Sequence, residues 1–214
     1  MSMSGYCATQ PQLGKSQHRD QGTLALTDGT TVCYRPIEVS DAAALRRFHD
    51  RLGEETVRLR FMSAIPHLND QQAQYFTGVD GYDRVALVAL DPTQPAEIIA
   101  VVRYDRDPGT YNAEYAAVVA DRWQGRGLGF GLTRRLIDEA LVRDVRSFYA
   151  LVLPENVVML SLLRALGLPE RMHFEDGIER VEIELAGPNS LTSKSSTTHV
   201  ERRPCRWALP AIAP

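Results

Sequence analysis

The chain has 214 residues, 44% of them hydrophobic and 24% charged, which is enough apolar material for one buried core flanked by polar tails. A formal net charge of -3, with basic residues interleaved among acidic ones, excludes the footprint of a nucleic-acid binder. Cys7, Cys33 and Cys205 have no zinc or redox spacing, and no apolar run approaches the roughly 20 residues that cross a bilayer, so a metal-free protein of the reducing cytoplasm is expected, away from membranes.

Residues 1–22 are rich in Ser, Gln and Gly, without periodicity or the basic-then-apolar order of a secretion signal, and read as a leader without fixed structure. Thr23 to Leu26 and Thr31 to Arg35 flank Asp28-Gly29 as two short strands around a turn, the second ended by Pro36. Ser40 followed by Asp41 suits a helix N-cap, and Leu45, Phe48 and Leu52 then recur at helical spacing up to Gly53. A second helix is expected from about Glu55 to Phe61, and a third, capped by Asn69 or Asp70, through Phe76. Val85 to Leu90 and Ile98 to Tyr104 are apolar runs that should pair antiparallel. After the turn Asp107-Pro108-Gly109, the run Ala113 to Val119 reads as a strand buried on both faces.

A glycine-rich loop follows at once, then a helix through Leu132 to Val142, an apolar strand Phe148 to Leu153, and a helix Val157 to Leu166 that stops at Gly167. This order makes a parallel βαβ unit. Met172 to Phe174 and Ile178 to Leu185 close the domain as a hairpin around Glu175-Asp176-Gly177, with one face wet. The domain should therefore span residues 23–186, and the Ser-, Thr- and Pro-rich residues 187–214 read as a flexible tail.

The chemistry is concentrated in Gln124-Gly125-Arg126-Gly127-Leu128-Gly129, between a strand and a helix. Glycines at such a turn let the backbone approach a ligand closely, and the helix start adds unpaired N–H donors and partial positive charge, a setting for a pyrophosphate. A nucleotide P-loop needs Gly-Lys-Ser/Thr here, and a dinucleotide fingerprint needs a third glycine where Phe130 stands. A connector that holds no ligand remains open on this loop alone.

Several segments resemble one family in order: Arg35-Pro36-Ile37, Ser40-Asp41, Arg58-Leu59-Arg60-Phe61-Met62-Ser63, Pro66-His67-Leu68, Ala113-Glu114-Tyr115, Asp121 to Gly129, Leu153-Pro154-Glu155-Asn156 and Met159-Leu160. Over about residues 24–185 the chain is similar to the GNAT domain of Pat-type bacterial protein-lysine acetyltransferases. The resemblance implies an α/β (α+β) fold: a mixed, mostly antiparallel sheet with helices on both faces, and a parallel βαβ unit splayed at a bulge to hold acetyl-CoA. It also implies transfer of an acetyl group from this cosubstrate, with no metal, to an amine, foremost a protein lysine. Acetylation of a small-molecule amine and non-catalytic sensing of acyl-CoA remain as alternatives, and the oligomeric state is open. With 214 residues there is no room for the cyclic-nucleotide-binding or CoA-ligase-like domain that such enzymes often carry, so control by one in cis is not expected.

By the same resemblance, Glu114 would be the general base that takes the proton of the amine, which is mostly protonated at neutral pH. A structural glutamate paired to an arginine is the alternative at that position. The backbone of Ala117, Val118 and Val119 would bind the pantetheine arm like an added strand, and Gln124, Gly125, Arg126, Gly127, Leu128 and Gly129 would hold the pyrophosphate. Arg126 is either a phosphate partner or a solvated arginine. Asn156 would contact the CoA arm, cap the helix from Val157, or do both. Many relatives carry a tyrosine in this last helix as general acid; Val157 to Leu166 has none, so no acid is assigned. Residues 54–82 and 105–112 would line the acceptor side, and the five histidines show no ligand spacing.

Overall fold

A computed structural model describes residues 21–62 and 67–185. Nearly all of the expected leader, Ser63 and Pro66 of the family-like segments, and the expected tail from 187 to 214 lie outside the described residues. The strands are β1 (Gly22–Ala25), β2 (Thr31–Pro36), β3 (Arg84–Leu90), β4 (Ile98–Arg106), β5 (Asn112–Val119), β6 (Ser147–Val152), β7 (Glu170–Glu175) and β8 (Ile178–Glu184). They form one sheet in the order β1-β2-β3-β4-β5-β6-β8-β7. Every neighbouring pair is antiparallel except β5 and β6. The helices are α1 (Ala42–Asp50), α2 (Glu54–Phe61), α3 (Asp70–Thr77), α4 (Leu128–Val142) and α5 (Val157–Ala165). Among the described residues no helix is long and apolar enough to cross a membrane.

Alternation along the strands divides the core in two. Val85, Leu87 and Ala89 of β3 join the cluster that holds Leu128, Leu132, Leu136 and Ala140 of α4 and Leu163 of α5. Ala86 and Val88 project the other way, into a second cluster with Leu45 and Phe48 of α1, Val57 and Phe61 of α2, and Phe76 of α3. Both faces of β3 and β4 are thus covered, which is why these segments read as unbroken apolar runs. Fully burying a side chain such as Leu132 or Leu136 contributes about 1.5–3 kcal/mol.

Four local expectations change. Ser40 does not cap α1: it lies in a short 3-10 turn, Val39–Asp41, and the Asp41 carboxylate is taken by Arg35 at 2.7 and 2.8 Å and by the N–H of Glu38 at 2.8 Å. Helix α4 begins at Leu128, four residues ahead of the expected run from Leu132, because Gly129 and Gly131 accept helical geometry despite their low propensity. Strand β5 is buried only over Ala113 to Ala117; Val118 and Val119 are half-buried. The closing hairpin is wetter than expected, since β7, at the sheet edge, is exposed along its whole length.

Candidate active site

Strands β5 and β6 pair only at Asn112↔Ser147, Ala113↔Phe148 and Glu114↔Tyr149, although β5 continues to Val119 and β6 to Val152. Beyond Glu114 they diverge into a V-shaped slot enclosing a cavity of about 360 Å³. The backbone of Ala116 to Val119 forms one wall, Ala150 to Val152 the other, and Gly127 to Phe130 with Met159 and Leu162 close the wide end. The expected bulge in β5 is absent: its register with β4 is unbroken from Ala100↔Val119 to Arg106↔Ala113. The one shift between β3 and β4 is at Ala89/Leu90, away from the slot. Where the strands part, α4 packs against α5. A Cβ on Gly129 would stand 3.0 Å from Leu162 Cδ1 and 3.4 Å from Val119 Cγ2, so a side chain there would have to displace Leu162 by a few tenths of an ångström.

The loop at the wide end is built for backbone donation. Gly125 and Gly127 take φ of +70° and +80°, a region that side-chain-bearing residues rarely enter. Gln124 Nε2 donates to the Val119 carbonyl at 3.0 Å, and the N–H of Thr27 donates to the Arg126 carbonyl at 3.0 Å, fixing the loop from two sides. From inside, the Tyr115 and Thr133 hydroxyls are 2.7 Å apart, and Thr133 donates to the Gly129 carbonyl at 2.7 Å. Burial pushes the Tyr115 phenol up, so it remains a donor. The Val119, Arg126 and Gly129 carbonyls are thereby occupied, while the N–H groups of Gly125 to Phe130 have no acceptor among the described residues. Together with the partial positive charge of the α4 N-terminus they suit a phosphate-bearing ligand.

Of the residues singled out in the sequence, Glu114, Ala117, Val118, Val119, Gln124, Gly125, Gly127, Leu128, Gly129 and Asn156 all line this slot. Arg126 does not. Its guanidinium is 3.2 Å from the Asp28 carboxylate and 4.8 Å from the Trp123 ring centroid. Asn156 caps α5, its Oδ1 accepting from the N–H of Met159 at 3.1 Å, and borders the slot as well, so the two roles anticipated for it are compatible. Glu114 is 3% exposed and sits at the last paired position, where the strands part. Helix α5 contains no tyrosine, so the gap in general acid stands. Among the described residues no group of three or more His, Cys, Asp or Glu is arranged to hold a metal ion.

Sequence reasoning gave no individual role to α2. This helix contributes Thr56, Leu59, Arg60 and Phe61 to the slot. It is moored by Asp121, which accepts from the Gly53 N–H at 2.9 Å and the Thr56 hydroxyl at 2.6 Å. Burial alone would raise the Asp121 carboxyl, but these two bonds hold it below the usual carboxylate range. Across the mouth, Arg58 bonds Glu155, of the β6–α5 turn, at 2.8 Å. Arg58 and Arg60 were visible only as part of a family-like segment; nothing in their spacing assigned them to the slot.

This arrangement matches known proteins. The acetyltransferase (GNAT) family profile matches residues 43–168. Acetyltransferase PA5475 of Pseudomonas aeruginosa is 31% identical over 162 residues, which cover 75% of this chain and 87% of that protein. Among solved structures, the GNAT domain of S. lividans PAT superposes with a TM-score of 0.73 at 34% identity, covering 80% of this chain and 99% of that one. Spermidine N-acetyltransferase from Vibrio cholerae, in complex with CoA and spermine, shares the fold at a TM-score of 0.57 and 18% identity, over 72% of this chain and 95% of that one. The chain is a member of the GNAT acetyltransferase family.

Proposed function

We propose that this acetyltransferase transfers the acetyl group of acetyl-CoA to a protein lysine ε-amine by direct attack, with Glu114 as general base. The observation that carries the reading is the buried carboxylate of Glu114 at the apex of the slot, beside a strand edge and a glycine loop that both offer unpaired backbone donors. The residues present fit acetyl-CoA: the N–H groups of Gly125 to Phe130 suit its pyrophosphate, the free edge of Ala117 to Val119 suits the amides of its pantetheine arm, and Asn156 borders the same path. Bound there, acetyl-CoA supplies the activated thioester.

Each step assigned to the protein follows from these positions. An N–H of the Ala117–Val119 segment stabilises the charge that develops on the thioester oxygen. Glu114 takes a proton from the incoming ammonium, leaving the free amine to attack the carbonyl carbon. The C–N bond forms, the C–S bond breaks, the nitrogen sheds its second proton to solvent, and the thiolate leaves without a dedicated acid and is protonated from solvent; a thiol of pKa near 8.5 is a tolerable leaving group. The lysine acceptor is supported by similarity to the GNAT domain of S. lividans PAT. A cytoplasmic site of action is supported by the scattered cysteines.

Incubation with labelled acetyl-CoA and either cell extract or a panel of small amines tests the acceptor; label in protein lysines is expected, and label confined to small amines would overturn it. Glu114→Gln should lower turnover by about 10²- to 10⁴-fold with CoA affinity unchanged. Undiminished turnover would remove Glu114 from the mechanism, and absence of turnover on every acceptor would favour an acyl-CoA sensor.

A further inference from the structure

Strand register aligns six polar side chains in one row across the sheet. Arg84 of β3 is the partner of Asp105 of β4, Asp105 of Glu114, Glu114 of Tyr149 of β6, Tyr149 of Glu182 of β8, and Glu182 of Arg171 of β7. Partners in register project to the same face with Cβ atoms about 4.5–5.5 Å apart. Two carboxylates are therefore neighbours inside the protein: Glu114 at 3% exposure and Asp105 at 0%. Like charges so placed destabilise a sheet, and the fold itself has no need of them. Arg84 fixes one of the two. Its Nε donates to Asp105 Oδ1 at 3.1 Å, and its other nitrogens donate to the carbonyls of Gly78 and Tyr75 at 3.0 and 2.8 Å.

We propose that Asp105, held in place by Arg84, is a positioning residue that strengthens Glu114 as a base. The inference rests on the reading of Glu114 given above and extends it. The other groups around Glu114 make the need plain. Arg60 of α2, on the slot wall with Glu114, is a cation that favours the carboxylate form and weakens it as a proton acceptor, whereas Arg103, two residues along β4 and 4% exposed, has Asp105 as its charge partner. Tyr149 lies on the far side, with its hydroxyl 3.2 Å from Asp107 Oδ1 and the Arg180 guanidinium 3.7 Å from its ring centroid. Burial and the negative charges of Glu114 and Asp107 push the Tyr149 phenol up, so it remains neutral and cannot supply the missing negative charge. Asp105 is the buried anion in direct register with Glu114, and it offsets Arg60.

The test is the pH profile of kcat/KM with acetyl-CoA and a lysine-containing peptide, read on four variants beside the native protein. Glu114→Gln identifies the limb that belongs to Glu114 by abolishing it. Asp105→Asn should move that limb to lower pH by about two units, from a Coulomb interaction across about 5 Å at an effective dielectric near 20. Plateau turnover should fall about 3- to 10-fold, as expected for a weaker base. Asp105→Glu keeps the charge and should return the limb toward its native position. Arg84→Gln removes a cation and should move the limb the opposite way, to higher pH by about half a unit to one unit, a readout that remains if Asp105→Asn fails to fold. Opposite shifts support the proposal, because lost packing alone would not move the limb in opposite directions. If Glu114→Gln abolishes the limb while neither Asp105→Asn nor Arg84→Gln moves it, the proposal is overturned and Glu114 stands as the base. If Glu114→Gln leaves both limb and turnover intact, the reading of Glu114 itself fails.

Discussion

Replacing Gly127 by alanine tests whether the loop amides hold the cosubstrate. Gly127 precedes α4 with φ +80°, and a Cβ there would lie 3.3 Å from Thr27 Cγ2. An L-residue in the left-handed region costs about 1–2 kcal/mol, and the methyl contact adds a displacement of Thr27 by a few tenths of an ångström. A free loop can relieve this strain by rearranging, but a loop that must present its amides to a pyrophosphate cannot. Most of the cost should therefore appear in binding, as a rise of about 5- to 30-fold in the Kd for CoA. Titration calorimetry measures it directly. Gly131→Ala is the control: it lies within α4 without positive φ, and its new methyl would meet Leu24 at an ordinary 3.5 Å. That variant should bind CoA normally and gain up to about 1 kcal/mol of stability in urea unfolding. Equal CoA affinity in the two variants would refute the loop assignment.

Thr133→Val should destabilise the protein by about 1–3 kcal/mol, because it strands the buried Tyr115 hydroxyl, whereas Tyr115→Phe should cost about 1 kcal/mol and the double variant no more than Thr133→Val alone; urea unfolding of the three checks the order. Acid should act through Asp41: burial would raise its carboxyl, but the bonds from Arg35 and the Glu38 N–H hold it below its ordinary value of 3.8. A depressed carboxyl contributes stability that is present above the unfolded pKa and lost as pH falls through the folded one, so stability should decline below about pH 4, and less steeply in Asp41→Asn, when unfolding is followed from pH 6 to pH 3.

Much of the site was legible because glycine and local spacing carry direct conformational meaning. Gly125 and Gly127 announced positive φ, and the sequence of strand, loop and helix announced where their amides would point. The alternation of Val181 and Ile183 with charged residues marked one side of β8 as buried. What remained hidden depends on contacts between distant segments. The Ser40-Asp41 pair has the local form of a cap, yet Arg35 outcompetes the helix for the Asp41 carboxylate. The strands part beyond Glu114 without any break in the register of β5 with β4, and no residue of β5 signals it. The row from Arg84 to Arg171 needs five pairings to be known at once, and a one-residue slip in any of them would dissolve it.

Asp121 has a consequence for binding. Its backbone begins the turn that leads into the cofactor loop through Trp123 and Gln124, while its carboxylate holds the first turn of α2. Displacement of one is thus transmitted to the other within a single residue. Ligands bound on the two sides of this residue are then linked, with a coupling that is equal in both directions.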